Sequence, residues 1–171
     1  MRKSVEAARK LLTELKIKAL PIPVEEIAEK LGAKLSFEPL EGELSGMLFR
    51  NDERTVIGVN SSHAHTRQRF TIAHEIGHLR LHKGELYVDE ARINLRDGDS
   101  SLAIKPEEVE ANAFAAELLM PENFVRDEIS VLAKRLRGSP EDLIEKLAKI
   151  FDVSSKAMEY RLNNLGLLTP T

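Results

Sequence analysis

The chain has 171 residues, of which 42% are hydrophobic and 31% charged, and its formal net charge is -3. This balance is typical of a globular protein with its own buried core and excludes an intrinsically disordered chain. The slight negative charge gives no overall electrostatic reason to expect nucleic acid, so direct DNA binding is not predicted. The absence of cysteine excludes disulfides, thiolate metal sites and cysteine nucleophiles.

Hydropathy along the chain gives no sign of a membrane segment. No apolar run reaches the roughly 18 residues that a membrane-spanning helix needs. Charged residues also interrupt the segment after Met1, unlike the apolar stretch of a secretory signal. The sequence therefore predicts a cytoplasmic protein without membrane contact.

The first half of the chain predicts two short helices, a small sheet and a long helix. Apolar residues at helical spacing predict helices over residues 4–16 and 24–31. Three apolar, partly β-branched runs then predict a small antiparallel sheet. These runs are Ala33–Phe37, Ser45–Phe49 and Thr55–Val59. A long helix is predicted from about Thr66 to His82.

The second half is mainly helical. The connection over residues 83–105 is longer than an ordinary loop between two helices. This length predicts a functional flap or a strand over Tyr87–Leu95. Pro106, Ser139 and Ser154 are typical of helix starts. The predicted helices span residues 106–119, 122–135, 139–151 and 154–166.

This order of elements predicts an α+β fold in a single domain over residues 1–171. Within it we expect a core with its N-terminal helices over residues 1–136 and a C-terminal helical hairpin over residues 137–171. The hairpin resembles a helix-turn-helix in outline. Over residues 139–168, however, five acidic residues outnumber four basic ones, which argues against phosphate binding.

The long helix carries His74, Glu75 and His78 in the arrangement HExxH. At about 100° per residue, these side chains share one strip of the helix between two apolar flanks. Two imidazoles one turn apart can both reach a Zn²⁺ ion at ~2.0–2.1 Å. Glu75 lies beside them as a base for a metal-bound water. For this motif alone, a buried helix with hydrogen-bonded histidines is the structural alternative.

A catalytic zinc site usually has three protein ligands, and without cysteine the third must be His, Asp or Glu. The helix over residues 106–119 offers Glu107, Glu108 and Glu110. Glu108 is the one that shares a face with Asn112. We predict Glu108 as the third ligand and Asn112 as the group that orients a ligand imidazole. A plain preference of glutamate for a helix N-terminus is the structural alternative.

Small residues are expected to bring these two helices together. Ala111 and Ala115 lie on the same face as Glu108. Gly77 is the small residue expected to lie opposite them on the HExxH helix. A close approach at this point would carry Glu108 to the histidines.

Two further features suggest contacts with a substrate. His82 lies on the metal strip one turn beyond His78, where it can contact substrate or donate to an oxyanion. A histidine at this position is equally favoured by the helix dipole. The strand Thr55–Asn60 offers an edge for strand addition by an extended substrate, although core packing explains its apolar residues as well.

Two long segments resemble the ImmA/IrrE family of metallo-endopeptidases. The first is RFTIAHEIGH at residues 69–78, and the second is EVEANAFAAELLMP at residues 108–121. The similarity spans most of the chain, including Leu20-Pro21-Ile22-Pro23 and Val59-Asn60. Two long motifs in the same order are far more specific than HExxH alone.

This resemblance implies a zincin-like core in which His74, His78 and Glu108 hold Zn²⁺, or another divalent ion such as Mn²⁺, and Glu75 is the catalytic residue. It also implies a substrate class, the helix-turn-helix transcriptional repressors, whose cleavage switches on stress-response or mobile-element genes. The alternative is a non-catalytic regulatory module with a structural metal, which docks on a repressor or on DNA through its C-terminal helices.

Overall fold

The computed structural model describes residues 2–41, 44–90, 105–133 and 139–168. Over these residues the chain forms seven helices and four strands. The helices are α1 (Arg2–Glu14), α2 (Val24–Lys30), α3 (His65–Leu81), α4 (Pro106–Leu119), α5 (Glu122–Ala133), α6 (Pro140–Phe151) and α7 (Ser155–Asn164). The strands are β1 (Ala33–Glu38), β2 (Leu44–Arg50), β3 (Thr55–Asn60) and β4 (Leu86–Glu90). In the described ranges no helix is both long and apolar enough to cross a bilayer.

The four strands form one mixed sheet in the order β1-β3-β2-β4. β2 and β3 form the predicted antiparallel hairpin, and the Asn51 side chain accepts hydrogen bonds from the backbone of Glu53 and Arg54 in its turn. β1, however, runs parallel to β3, so the sheet is not antiparallel throughout. The predicted α+β class is confirmed.

The strand order also corrects the expected docking strand. β3 pairs with β1 on one side and with β2 on the other, so it has no edge left for an extended substrate. β4 is the strand that lies at the sheet edge beyond β2. A strand within residues 83–105 is thus confirmed at Leu86–Glu90, while residues 91–104, including the predicted strand end at Leu95, lie outside the described residues.

α3 lies in the interior of the molecule, between the sheet and α4. It packs against β2 and β3 on one side and against α4, α2 and α1 on the others. All eight residues from Thr71 to His78 are buried. The two apolar flanks predicted for this helix therefore both pack into the core. The histidines between them are also buried.

Gly77 allows α3 and α4 to approach closely. A Cβ placed on Gly77 would lie 3.1 Å from Cα of Ala111 and 3.3 Å from Cβ of Phe114. These neighbours are backbone and the root of a buried side chain, which cannot move aside cheaply. The predicted contact between Gly77 and Ala111 is confirmed.

Larger side chains at Gly77 should separate the two helices. We expect Gly77→Leu to lower the free energy of unfolding by about 1–3 kcal/mol, because overpacking at a backbone contact forces a shift of the helix. Gly77→Ala should have a smaller effect, since the better helix propensity of alanine offsets the strain by up to ~1 kcal/mol. Urea unfolding of the two variants measures the series, and a leucine variant as stable as the wild type would contradict the close packing.

A buried ion pair joins the C-terminal helices to the core. The Glu117 side chain on α4 is 1% exposed and accepts hydrogen bonds from Arg161 on α7 and from Arg9 on α1. Arg161 also donates to the backbone carbonyl of Met120 at 3.0 Å. At the other end of the hairpin, Arg69 of α3 donates to the carbonyl of Asp152 at 3.0 Å. Both ends of the hairpin are therefore tied to residues of the first 136.

We propose that these contacts make residues 1–171 one folding unit. Arg161→Met should then lower the free energy of unfolding by about 3 kcal/mol, because it leaves the Glu117 carboxylate buried with only the half-exposed Arg9 as cation. The double variant Arg161→Met, Glu117→Gln should recover part of this loss, since no buried charge remains. Urea unfolding followed by circular dichroism measures both, and two separate transitions in the wild type would contradict a single unit.

Candidate metal centre

The helical spacing of α3 brings the two predicted histidines together. The ring centroids of His74 and His78 are 4.7 Å apart, and their Nε2 atoms are 3.0 Å apart. Both residues are 1% exposed. The i, i+4 arrangement therefore directs two imidazole nitrogens to one buried point.

Glu108 reaches the same point from the first turn of α4. Its Oε2 lies 3.2 Å from Nε2 of His74, and its Oε1 lies 3.5 Å from Nε2 of His78. Ligand atoms of the three side chains all lie within 4.8 Å of one another. Ligands 2.0–2.1 Å from a tetrahedral ion are about 3.4 Å apart, so these separations suit Zn²⁺.

The other two glutamates of this helix do not meet the histidine pair. Glu107 is exposed, and the Glu110 carboxylate lies 3.1 Å from Nε2 of His82 instead. Among the described residues, the His74, His78 and Glu108 group is the one whose ligand atoms converge in a way that could hold a metal ion. The choice of Glu108 made from the helix face agrees with this geometry.

The electrostatics favour a cation at this point. The close approach of the His74 and then the His78 imidazole holds the pKa of Glu108 far below its usual range, so that Glu108 is a carboxylate near neutral pH. Burial lowers the pKa of His78, which keeps its imidazole neutral. A neutral imidazole with a free lone pair and an ionised carboxylate are the forms in which these residues bind metals.

Asn112 lies next to His74, one turn beyond Glu108 on α4. Its Oδ1 is 3.0 Å from Nδ1 of His74. Because an amide oxygen can only accept, Nδ1 of His74 carries the proton, and the lone pair of Nε2 is left for a metal ion at the point that His74 shares with Glu108. This contact supports the predicted role of Asn112 in orienting a ligand imidazole, which stays a prediction.

Glu75 is completely buried beneath the sheet. A Cβ placed on Gly46 of β2 would lie 3.5 Å from Oε1 of Glu75 and only 2.3 Å from Cγ2 of Thr71. Gly46 therefore lets β2 approach α3 at the position of the glutamate. The side chain is held in a narrow space between a strand and the helix that carries the histidines.

Two contacts around His78 were not predicted from the sequence. The Tyr87 ring of β4 stacks on His78 with centroids 4.4 Å apart and planes 22° apart. Arg50 of β2 donates to the backbone carbonyls of Leu79, His82 and Gly84 at the end of α3. The position of Tyr87 depends on the register of β4 on β2, in which Tyr87 pairs with the buried Leu48. No sequence pattern indicates the contacts of Arg50.

Three features together define the zincin-like class of fold: a buried helix with two histidines at i, i+4, a glutamate from a second helix, and a sheet above them. Within that class, the chain belongs to the peptidase M78 family, since the model described as the IrrE N-terminal-like domain matches residues 28–163. The predicted resemblance to ImmA/IrrE proteins is confirmed.

Two curated relatives are similar over most of this chain. The radiation response metalloprotease IrrE of Deinococcus radiodurans is 34% identical over 134 residues, which cover 77% of this chain and 37% of that protein. The metallopeptidase ImmA of Bacillus subtilis is 29% identical over 130 residues, which cover 73% of this chain and 66% of that protein. The chain thus spans between about a third and two thirds of these relatives.

A solved structure shares the fold. It is titled as a Mycobacterium tuberculosis transcriptional regulator, with a TM-score of 0.60 and 16% sequence identity. The similarity covers 95% of this chain and 47% of that one. At this identity the likeness concerns the fold alone.

Proposed function

We propose that the protein is a zinc-dependent endopeptidase that hydrolyses a peptide bond in a protein substrate. The observation that carries this proposal is the convergence of His74, His78 and Glu108 on one point, with Glu75 next to His74 on the same buried helix. Three protein ligands leave a fourth position for water or substrate, as in catalytic rather than structural zinc sites. Mn²⁺ is the alternative ion for the same ligands.

Each residue then has a definite task. Zn²⁺ held by His74, His78 and Glu108 would supply a Lewis acid that acidifies water and polarises the scissile carbonyl. Glu75 takes the proton of the attacking water and delivers it to the leaving amine. Asn112 keeps the proton of His74 on Nδ1, so that Nε2 remains a ligand.

The substrate would bind as an extended strand along β4. β4 is the sheet edge nearest the site, because its Tyr87 side chain lies against His78. An extended peptide can add to such an edge through backbone hydrogen bonds. Residues to either side of the scissile bond would then pass over the metal position.

We propose a helix-turn-helix transcriptional repressor as the substrate, which places the reaction in the cytoplasm and makes its outcome derepression of stress-response or mobile-element genes. Family membership supports this substrate class. Direct DNA binding by the α6–α7 hairpin is less favoured, because its Arg161 is buried against Glu117 and unavailable to phosphate.

A cleavage assay tests this proposal. The zinc-loaded protein is incubated with candidate repressors, and fragments are identified by mass spectrometry. Fragments that form with the wild type but not with Glu75→Gln support the endopeptidase. A repressor that binds both forms equally and stays intact would instead support the regulatory module with a structural metal, and a salt-dependent shift of repressor-free DNA would support that module acting on DNA.

A further inference from the structure

We propose that His82 and Glu110 are positioning residues that fix the tautomer and orientation of His78. Nδ1 of His82 lies 3.0 Å from Nδ1 of His78, and Nε2 of His82 lies 3.1 Å from Oε2 of Glu110. The inference rests on the proposed metal site, since it concerns how one ligand of that site is held. It replaces the predicted contact of His82 with substrate or an oxyanion.

The protons of this chain of side chains can be assigned in one way. Nε2 of His78 faces His74 and Glu108, so its lone pair must be free for a metal and its proton must be on Nδ1. Two ring nitrogens 3.0 Å apart form a hydrogen bond only if one donates and the other accepts. Nδ1 of His82 therefore accepts, and its proton is on Nε2.

Glu110 completes the assignment. A carboxylate only accepts hydrogen bonds, so it matches the N–H at Nε2 of His82. Nδ1–H of His78 then donates to Nδ1 of His82, and Nε2–H of His82 donates to the Glu110 carboxylate. In the opposite tautomer, His82 would present a lone pair to the carboxylate and a proton to the proton of His78, and both contacts would be repulsive.

The two histidines of the HExxH motif are thus held in parallel ways. His74 donates directly to Asn112, whereas His78 donates through His82 to Glu110, and both acceptors belong to α4. The helix that brings Glu108 to the centre therefore also orients both imidazoles. A carboxylate behind a metal-bound histidine raises its basicity as well as fixing its ring.

His82 is held in place by its surroundings. Its side chain is 6% exposed, and the backbone carbonyl of His82 accepts a hydrogen bond from Arg50. The Tyr87 ring lies 5.8 Å from the His82 ring and stacks on His78. With both nitrogens engaged inside the protein, His82 has no N–H to offer a substrate, so its role is positioning.

The zinc affinity of the 171-residue chain tests the proposal. His82→Leu fills a similar space but cannot accept, so its Kd for Zn²⁺, measured by competition with a chromophoric chelator, should rise by about 10–100-fold. His82→Asn places an amide oxygen near the position of Nδ1 and should recover most of the affinity. Glu110→Ala should weaken binding, while Glu107→Ala, an exposed neighbour on the same helix, should bind as the wild type does.

The ring nitrogens report the same arrangement without relying on activity. In ¹⁵N spectra of the zinc-loaded wild type, His78 should carry its proton on Nδ1 and His82 on Nε2. A proton on Nδ1 of His82, or wild-type affinity in both His82→Leu and Glu110→Ala, would overturn the proposal. If His82→Leu does not fold, Glu110→Ala decides, because Glu110 is 43% exposed in its side chain. A wild-type protein that binds no zinc would refute the metal site itself, which is a different result.

Discussion

Glu75→Gln is expected to retain zinc and to cleave the proposed protein substrate about 10²–10⁴-fold more slowly, which is the contribution of a positioned general base. Glutamine has almost the same size and shape as glutamate, so the narrow space between β2 and α3 remains filled. An amide, however, cannot take a proton from water. Metal content by mass spectrometry and the rate of fragment formation at fixed pH measure the two halves of this prediction.

Glu107→Gln is the matched control, because it makes the same chemical change at an exposed position of α4. It should leave both zinc content and cleavage rate unchanged. Cleavage by Glu75→Gln at the wild-type rate would exclude Glu75 as the base. Loss of zinc in that variant would show instead that Glu75 supports the metal.

Loss of a predicted ligand should have the opposite signature, with the metal released. In His74→Ala and Glu108→Ala, the Kd for Zn²⁺ should rise by more than the ~10–100-fold typical of an outer hydrogen bond, because a bond to the ion itself is removed. Zinc at 100 times its Kd stabilises a protein by about 2.7 kcal/mol, and both variants should lose this difference between zinc-loaded and chelator-treated samples. Equilibrium dialysis and thermal unfolding with and without chelator measure these effects.

The control for this series is Glu107→Ala, which removes a carboxylate that takes no part in the converging group. It should bind zinc with full stoichiometry. Full stoichiometry and unchanged affinity in Glu108→Ala would contradict the predicted third ligand, and Glu110 or Glu107 would then be tested in its place.

The local part of the site was predictable because helical geometry alone determines it. His74 and His78 are one turn apart on any helix, and Glu108 and Asn112 share a face for the same reason. The short distances among these residues follow once Gly77 and Ala111 let the helices meet. Patterns of side-chain size and spacing were therefore sufficient to predict which side chains share a helix face and where the two helices approach each other.

The remaining contacts depend on how distant segments meet. The parallel placement of β1 beside β3 results from strand order, which the apolar runs do not encode. The stacking of Tyr87 on His78 requires β4 to pair with β2 in one register. The bond between His82 and Glu110 joins the end of one helix to the first turns of another. Periodicity within a segment carries no information about such contacts.

The uninterrupted burial of residues 71–78 restricts how this protein can be redesigned. A library that varies α3 would mostly yield chains that fail to fold, even at positions without any chemical task. Variation on the outer face of the sheet should be tolerated far better, because Leu86 and Val88 of β4 and Met47 of β2 are exposed there. Altered preference for a substrate sequence is therefore best sought in these strands, with the helix that carries the motif left untouched.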